Sequence, residues 1–140
     1  MNKMIFVNLP VADLAKSMAF YTALGFANNP QFTDETAACM VWSKSIMVML
    51  LSHEKWKTFT TRPIPPTSTS EVMLAVSMDG KAAVDRITDS AGNHGGIADI
   101  NAKQDLGFMY SRSFSDPDGH VWEPLWMDPA AILSQSGDKK

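Results

Sequence analysis

The chain repeats its own plan. A short apolar run, Met4–Leu9 (M-I-F-V-N-L), leads into Leu14, Met18, Tyr21 and Leu24, spaced as one face of a helix, and then into Gly25. Slid by 67 positions, Phe6 falls on Met73, Val7 on Leu74, Leu9 on Val76, Phe20 on Ile87 and Gly25 on Gly92, without a gap. With seven further residues inserted, Ser45–Leu51 falls on Gly119–Leu125, so that Met49 meets Glu123. A chain that repeats strand, helix and helix stop in this way folds as two copies of one supersecondary unit, each needing the other to complete its core.

Each copy reads as βαβββ. In the first, Pro10 is expected to end the opening strand, because proline cannot donate to a ladder, and Asp13 is placed to cap the helix. Strands follow near Phe26–Gln31, Ala37–Trp42 and Ile46–Leu51, with Ser43-Lys44 as the turn between the last two. His53–Phe59 has the look of a helical turn, and Thr60–Ser70 (T-T-R-P-I-P-P-T-S-T-S) reads as an extended linker. The second copy opens with a strand over Glu71–Met78. A helix starting at Asp79 or Gly80 buries Ala83, Val84, Ile87 and Ala91 and is expected to stop at Gly92. Strands near Gly96–Ile100, Gly107–Phe114 and His120–Trp126 complete it, with the turn D-P-D-G (Asp116–Gly119) before the last. Asp128-Pro129 opens a short C-terminal helix, and Gly137–Lys140 is expected to fray. The fold class is α+β: residues 1–136 as one domain, with unit 1 over about 3–52, a linker over about 53–70, unit 2 over about 71–127 and a short tail at 128–140.

Composition narrows the chemistry. One Cys excludes an internal disulfide and a Cys-rich zinc site, while three His could form an all-His metal site only if every one took part. Net charge is −3 with no basic cluster, which argues against nucleic acid or an anionic membrane as partner. No apolar run approaches the roughly 20 residues of a membrane span, and the N-terminal M-N-K-M-I-F-V-N-L-P lacks a signal peptide's apolar stretch. A reducing cytoplasm is the expected location.

Two segments carry a family resemblance. V-A-D-L-A-K-S-M-A-F-Y-T-A-L-G-F (Val11–Phe26) resembles, one residue short before Leu-Gly, a stretch of the vicinal-oxygen-chelate superfamily; D-P-D-G-H-V-W-E (Asp116–Glu123) resembles its D-P-D-G-x-x-x-E ending. This superfamily includes glyoxalase I, bleomycin-resistance proteins, fosfomycin-resistance enzymes and extradiol dioxygenases. F-V-N-L-P-V, M-V-M-L-L and G-F-M-Y-x-R-S-F look like its lactoylglutathione-lyase-like branch. The resemblance implies a glyoxalase/bleomycin-resistance/dihydroxybiphenyl-dioxygenase-like fold, with a cleft between curved mixed sheets, and a homodimer. It also implies a divalent metal acting as Lewis acid on two adjacent substrate oxygens, held by His, Gln or Glu at four equivalent places. Carried over, those places are Phe6, Met49, Met73 and Glu123. Phe has no donor atom and Met sulfur is too soft for the hard ions the superfamily favours, so no metal cofactor is expected. A set of Asn8, Glu71 and Glu123 would be the alternative if the register slipped.

Strand alternation then lines the expected cleft with Phe6, Asn8, Met47, Met49, Met73, Ala75 and Glu123: apolar walls with a few polar groups, suited to a small organic ligand. Glu123 is the candidate catalytic residue, as general base or as anchor for a cationic or hydroxyl-bearing ligand; paired with Arg112 or another cation it would instead tie strands together. Tyr110 and Arg112, two apart on one strand, could offer a phenol and a guanidinium to an anion, or Arg112 could bond to a neighbouring loop. His120 reads as a turn-stabilising or surface histidine, and His53 and His94 fall in loops. Cys39 reads as an inert buried thiol, and Trp42, Trp122 and Trp126 serve the core or a subunit interface. Two functions follow. One is metal-independent binding of a small molecule, as in bleomycin-resistance proteins; the other is a metal-dependent lyase or isomerase, lactoylglutathione-lyase-like, or a dioxygenase, with Glu123 as metal ligand or base.

Overall fold

The computed structural model describes residues 3–131. The first unit runs β1 (Ile5–Val11), α1 (Leu14–Ala23), β2 (Ala27–Asn29), a 3-10 turn at Pro30–Phe32, β3 (Ala37–Ser43) and β4 (Ile46–Ser52). Its sheet has the order β1-β4-β3-β2, with β1 parallel to β4 and the other pairs antiparallel. After α2 (His53–Phe59) and the linker come β5 (Met73–Ser77), α3 (Lys81–Asn93), β6 (Ile97–Ala98), β7 (Gln104–Asp105), β8 (Met109–Ser111), β9 (Phe114–Ser115) and β10 (Val121–Met127). In the second sheet β5 lies parallel to β10, while β8 and β9 pair with β10 one after the other, as a single broken strand.

The ladder registers reproduce the duplication. Asn8 pairs with Met49 in the first unit and Ala75 with Glu123 in the second, the correspondence that the sequence offset with its seven-residue insertion requires. The tail beyond Ala131, including the fraying expected of Gly137–Lys140, lies outside the described residues.

Local departures from the sequence reading have physical causes. Pro10 does not end β1, which continues to Val11. β1 is an edge strand, and Pro10 turns its carbonyl outward to accept the His120 Nε2–H at 2.8 Å, so its missing N–H removes no ladder bond. The β3–β4 turn is Lys44-Ser45, one residue later than expected. Gly25, with φ +104, stops α1, but Gly92 does not stop α3. Instead α3 runs to Asn93 and Gly95 takes the positive φ of +100, while Gly92 lets Ala98 approach: a Cβ there would lie 3.2 Å from that of Ala98. The expected Gly96–Ile100 and Gly107–Phe114 strands shrink to β6, β8 and β9. Ser113 Oγ accepts the Asn101 N–H and donates to the Asn101 carbonyl, and this side-chain bonding replaces ladder pairing at the break.

One core serves both units. Leu9, Val11, Ala38, Met40, Val48 and Leu50 of the first sheet and Val76 and Trp122 of the second join Phe20, Tyr21, Ile87 and Ala91 of the helices. The α1 stripe is deepest at Ser17, Phe20 and Tyr21 rather than at Leu14 and Met18, which are partly buried. Tyr21 meets Phe20 and Phe26 edge-on at 5.1 Å and Trp122 at 6.0 Å. Among the described residues no helix is long and apolar enough to cross a membrane.

Candidate functional site

Since the core takes one face of each sheet, alternation assigns the other. Phe6 and Asn8 stand beside Met47 and Met49 on the face of the first sheet turned away from α1, and Met73 and Ala75 beside Val121 and Glu123 on the face of the second turned away from α3. Phe6 and Met73 are 53% and 54% exposed, unusual for large apolar side chains. Seven of the expected site residues therefore lie on two open, largely apolar faces.

Glu123 is partly buried on this surface, and among the described residues its carboxylate has no hydrogen bond or ion pair. Pairing with Arg112 does not occur, because Arg112 is committed elsewhere. Its Nη1 donates to Asp85 at 3.1 Å, its Nη2 to Asp89 at 3.0 Å, and its Nε and Nη2 to the two oxygens of Asp99 at 3.0 and 2.8 Å. The Tyr110 O–H also donates to Asp85, at 2.6 Å. Tyr110 and Arg112 thus tie the second sheet to α3 and are not brought to the open face. The Tyr110 bond, with Arg112, holds the Asp85 carboxyl below its usual range; Arg112 does the same for Asp99. In return Asp85 pushes the Tyr110 phenol up to about 12.

The metal positions can be tested by their donors. Phe6, Met49, Met73 and Glu123 supply one hard oxygen donor residue among them, and among the described residues no group of three His, Cys, Asp or Glu side chains is arranged to hold a metal ion. The alternative set is also split: Asn8 and Glu71 line one cavity, and Glu123 is not part of it. This donor set does not fit a magnesium, manganese, nickel or zinc ion.

That cavity, of about 650 Å³, lies between β1 and the start of β5 and β10, beneath the linker. Its lining includes Leu9, Pro10, Trp56, Arg62, Glu71 and His120. Of the expected site residues only Asn8 reaches it.

The D-P-D-G turn does more than reverse the chain. Asp116 Oδ1 accepts the N–H groups of Asp118 and His120, each at 2.9 Å, and its Oδ2 accepts the Tyr21 O–H at 2.6 Å. The Trp122 indole N–H donates to the same Tyr21 oxygen at 3.0 Å. Asp118 accepts the Ala12 N–H at 2.9 Å. The turn thereby clasps unit 2 to the β1–α1 corner of unit 1. Burial pushes the Asp116 carboxyl above its usual range and, with the neighbouring carboxylate, pushes Tyr21 well above 10. Motif reading saw the turn but not the clasp; the signal available was a tyrosine on the buried face of α1.

The remaining candidates are structural. His53 begins α2 and His94 caps α3, its Nδ1 2.7 Å from the Ser90 carbonyl, so neither lies in an irregular loop. Cys39 is buried, which pushes its thiol up. Trp42 packs on Phe26 at 4.9 Å, and Lys81 lies over Trp126 at 5.7 Å.

Fold and site define a class: a duplicated βαβββ protein whose two sheets each carry an open, largely apolar face. A family described as bleomycin resistance protein-like N-terminal matches residues 3–43. A hypothetical protein from S. aureus is 27% identical, with a TM-score of 0.74 over 90% of this chain and 95% of that one. A glyoxalase/bleomycin resistance protein/dioxygenase family enzyme from Burkholderia phytofirmans is 19% identical, with a TM-score of 0.75 over 90% and 99%. The fosfomycin resistance protein FosX from Mesorhizobium loti is 15% identical, with a TM-score of 0.67 over 95% and 98%. No curated protein matches the chain. The chain has the glyoxalase/bleomycin-resistance/dioxygenase fold.

Proposed function

We propose that this protein binds a small organic molecule on the sheet faces turned away from α1 and α3, anchored by Glu123, and that it does so without a divalent metal. The observation that carries the reading is the Glu123 carboxylate, which stands among apolar neighbours with no partner from the described protein. A partly buried carboxylate left open in this way selects a ligand bearing an ammonium or hydroxyl group on an apolar body. Met47, Met49 and Met73, unbranched and polarizable, adapt the walls to its shape. The same free carboxylate favours a second reading, in which Glu123 acts as general base of a lyase or isomerase, lactoylglutathione-lyase-like in kind.

A homodimer fits the same surface. Phe6, Met73 and the neighbouring Ile5 and Val72 are all more than half exposed, and β1 and β5 are edge strands, so a second copy would cover apolar area and complete the trough. Sedimentation at micromolar concentration is expected to give a species of twice the chain mass, and a monomer would remove this part of the reading. A cytoplasmic location is in keeping with a single buried, unpaired cysteine.

The test of binding uses phenethylamine, an apolar body with one ammonium group. At concentrations well above Kd the ligand raises Tm by mass action, and Glu123→Gln abolishes the rise. An equal rise in the variant, or none in the wild type, would overturn the proposal. Turnover of the bound compound, lost in the same variant, would select the enzymatic reading.

A further inference from the structure

We propose that the cavity beneath the linker is a second ligand site, and that it takes a hydrophobic carboxylic acid. It shares Asn8, Val72 and Val121 with the open surface but neither Glu123 nor Met47, Met49 and Met73, so it stands whether or not those faces bind.

The cavity is built rather than left over. Its floor is apolar: Leu9 and Pro10 from β1, Leu74 from β5 and Val121 from β10. Its roof is the linker, in which Pro63 and Pro65 restrict the backbone to extended conformations. The roof is seated on the D-P-D-G turn at Gly119. That residue has φ +88, and a Cβ there would overlap the Thr67 carbonyl, so only glycine lets the linker lie this close. At about 650 Å³ the space falls within the range of drug-sized ligand sites. A floor and roof fixed in advance leave little ordering for a ligand to induce.

The polar groups on the lining specify the ligand. Arg62 makes no ion pair among the described residues, so its guanidinium is free to take a carboxylate bidentately. The Trp56 ring forms part of the wall, and its indole N–H is buried with no acceptor among the described residues. A donor-only group in that state lacks an oxygen to bond to. The unpaired Arg62 guanidinium beside an apolar floor fits an anionic oxygen group on a hydrophobic body, and a turn of the Trp56 ring toward the cavity would let its N–H join that bond. Glu71 lines the same cavity with no ion pair among the described residues, and offers an acceptor for a hydroxyl on that body. His120 is already engaged, its Nε2–H donating to Pro10, and serves as wall rather than as anion anchor.

Phenyllactate carries the carboxylate, the hydroxyl and the apolar ring; phenylpropanediol replaces only its carboxylate by a neutral hydroxymethyl group. Proton–nitrogen correlation spectra of the full chain, titrated with each, separate the contributions. The Trp56 indole resonance, assigned by its loss in Trp56→Phe, is expected to move downfield with phenyllactate. The diol is expected to bind at least about tenfold more weakly, and Arg62→Gln to weaken phenyllactate by about tenfold or more, as for a hydrogen bond to a charged group. Arg62 is exposed, so its variant tests binding without a folding defect. A Trp56 resonance that stays put at millimolar phenyllactate, equal binding of acid and diol, or wild-type affinity in Arg62→Gln would each overturn the proposal.

Discussion

Replacing Tyr21 by Phe removes one oxygen and leaves two buried groups short of partners. In the wild type that oxygen donates to Asp116 at 2.6 Å and accepts from Trp122 at 3.0 Å, with all three residues buried. Losing a hydrogen bond to a buried carboxylate costs about 1.5–3 kcal/mol, and an orphaned buried indole N–H adds about 1–3 kcal/mol. Relief of the phenol's own desolvation returns about 1 kcal/mol, so Tyr21→Phe should lose about 3 kcal/mol. For a domain of this size that is a fall in Tm of about 10 °C. Urea unfolding followed by tryptophan fluorescence should show a lower midpoint with an unchanged slope, because the exposed area hardly changes. A double-mutant cycle with Asp116→Asn should return a coupling of about 1–3 kcal/mol. A loss below about 1 kcal/mol, or additive single variants, would refute the reasoning: the clasp would then be a geometric coincidence rather than a source of stability between the units.

The Arg112 cluster gives stability a pH dependence whose sign is fixed. Asp85 and Asp99 have depressed folded-state pKa values, so their contribution is present above the ordinary carboxylate pKa and is lost as pH falls through the folded values. Asp116 is raised and acts with the opposite sign: its contribution is present at acid pH and lost as pH rises through its folded pKa. Arg112→Ala should cost about 2 kcal/mol at neutral pH, discounted for the exposure of the three aspartates, and should flatten the acid loss in a pH series of melts. Gly119→Ala should destabilise by about 1–3 kcal/mol, and amide exchange should quicken across the linker near Thr67 as the roof lifts. The triple variant Phe6→His, Met49→Glu, Met73→His supplies three donors that join Glu123, and should bind one nickel ion per chain by equilibrium dialysis; failure to bind would show that these positions do not converge.

The large plan was legible because it is written twice. Apolar residues matching at a fixed offset pointed to the two units, and the ladder pairs Asn8–Met49 and Ala75–Glu123 agree with that offset, although Gly92, matched to Gly25, is not a helix stop. What escaped depended on neighbours distant in sequence. Pro10 stays in its strand because the edge faces His120, 110 residues away. Gly92 looks like a stop, but its missing Cβ is used for packing on Ala98. Tyr110 and Arg112 share a face by alternation, yet which face depends on three aspartates from α3 and the segment after β6. Alternation put Phe6, Asn8, Met47, Met49, Met73, Ala75 and Glu123 on the sheet faces turned away from the core, because period-two strands leave little freedom once one face is apolar core. The linker-roofed cavity was invisible, since no local pattern in T-T-R-P-I-P-P-T-S-T-S says what lies beneath it.

Metal content tests the central claim most directly. Protein purified without chelator, then dialysed against manganese, nickel and zinc in turn, is expected to retain far less than one equivalent of each. Its Tm should not move, and Glu123→Ala should behave as the wild type. One equivalent of any of these ions held per chain, raising Tm and lost in Glu123→Ala, would contradict the account and restore metal-dependent chemistry to the site.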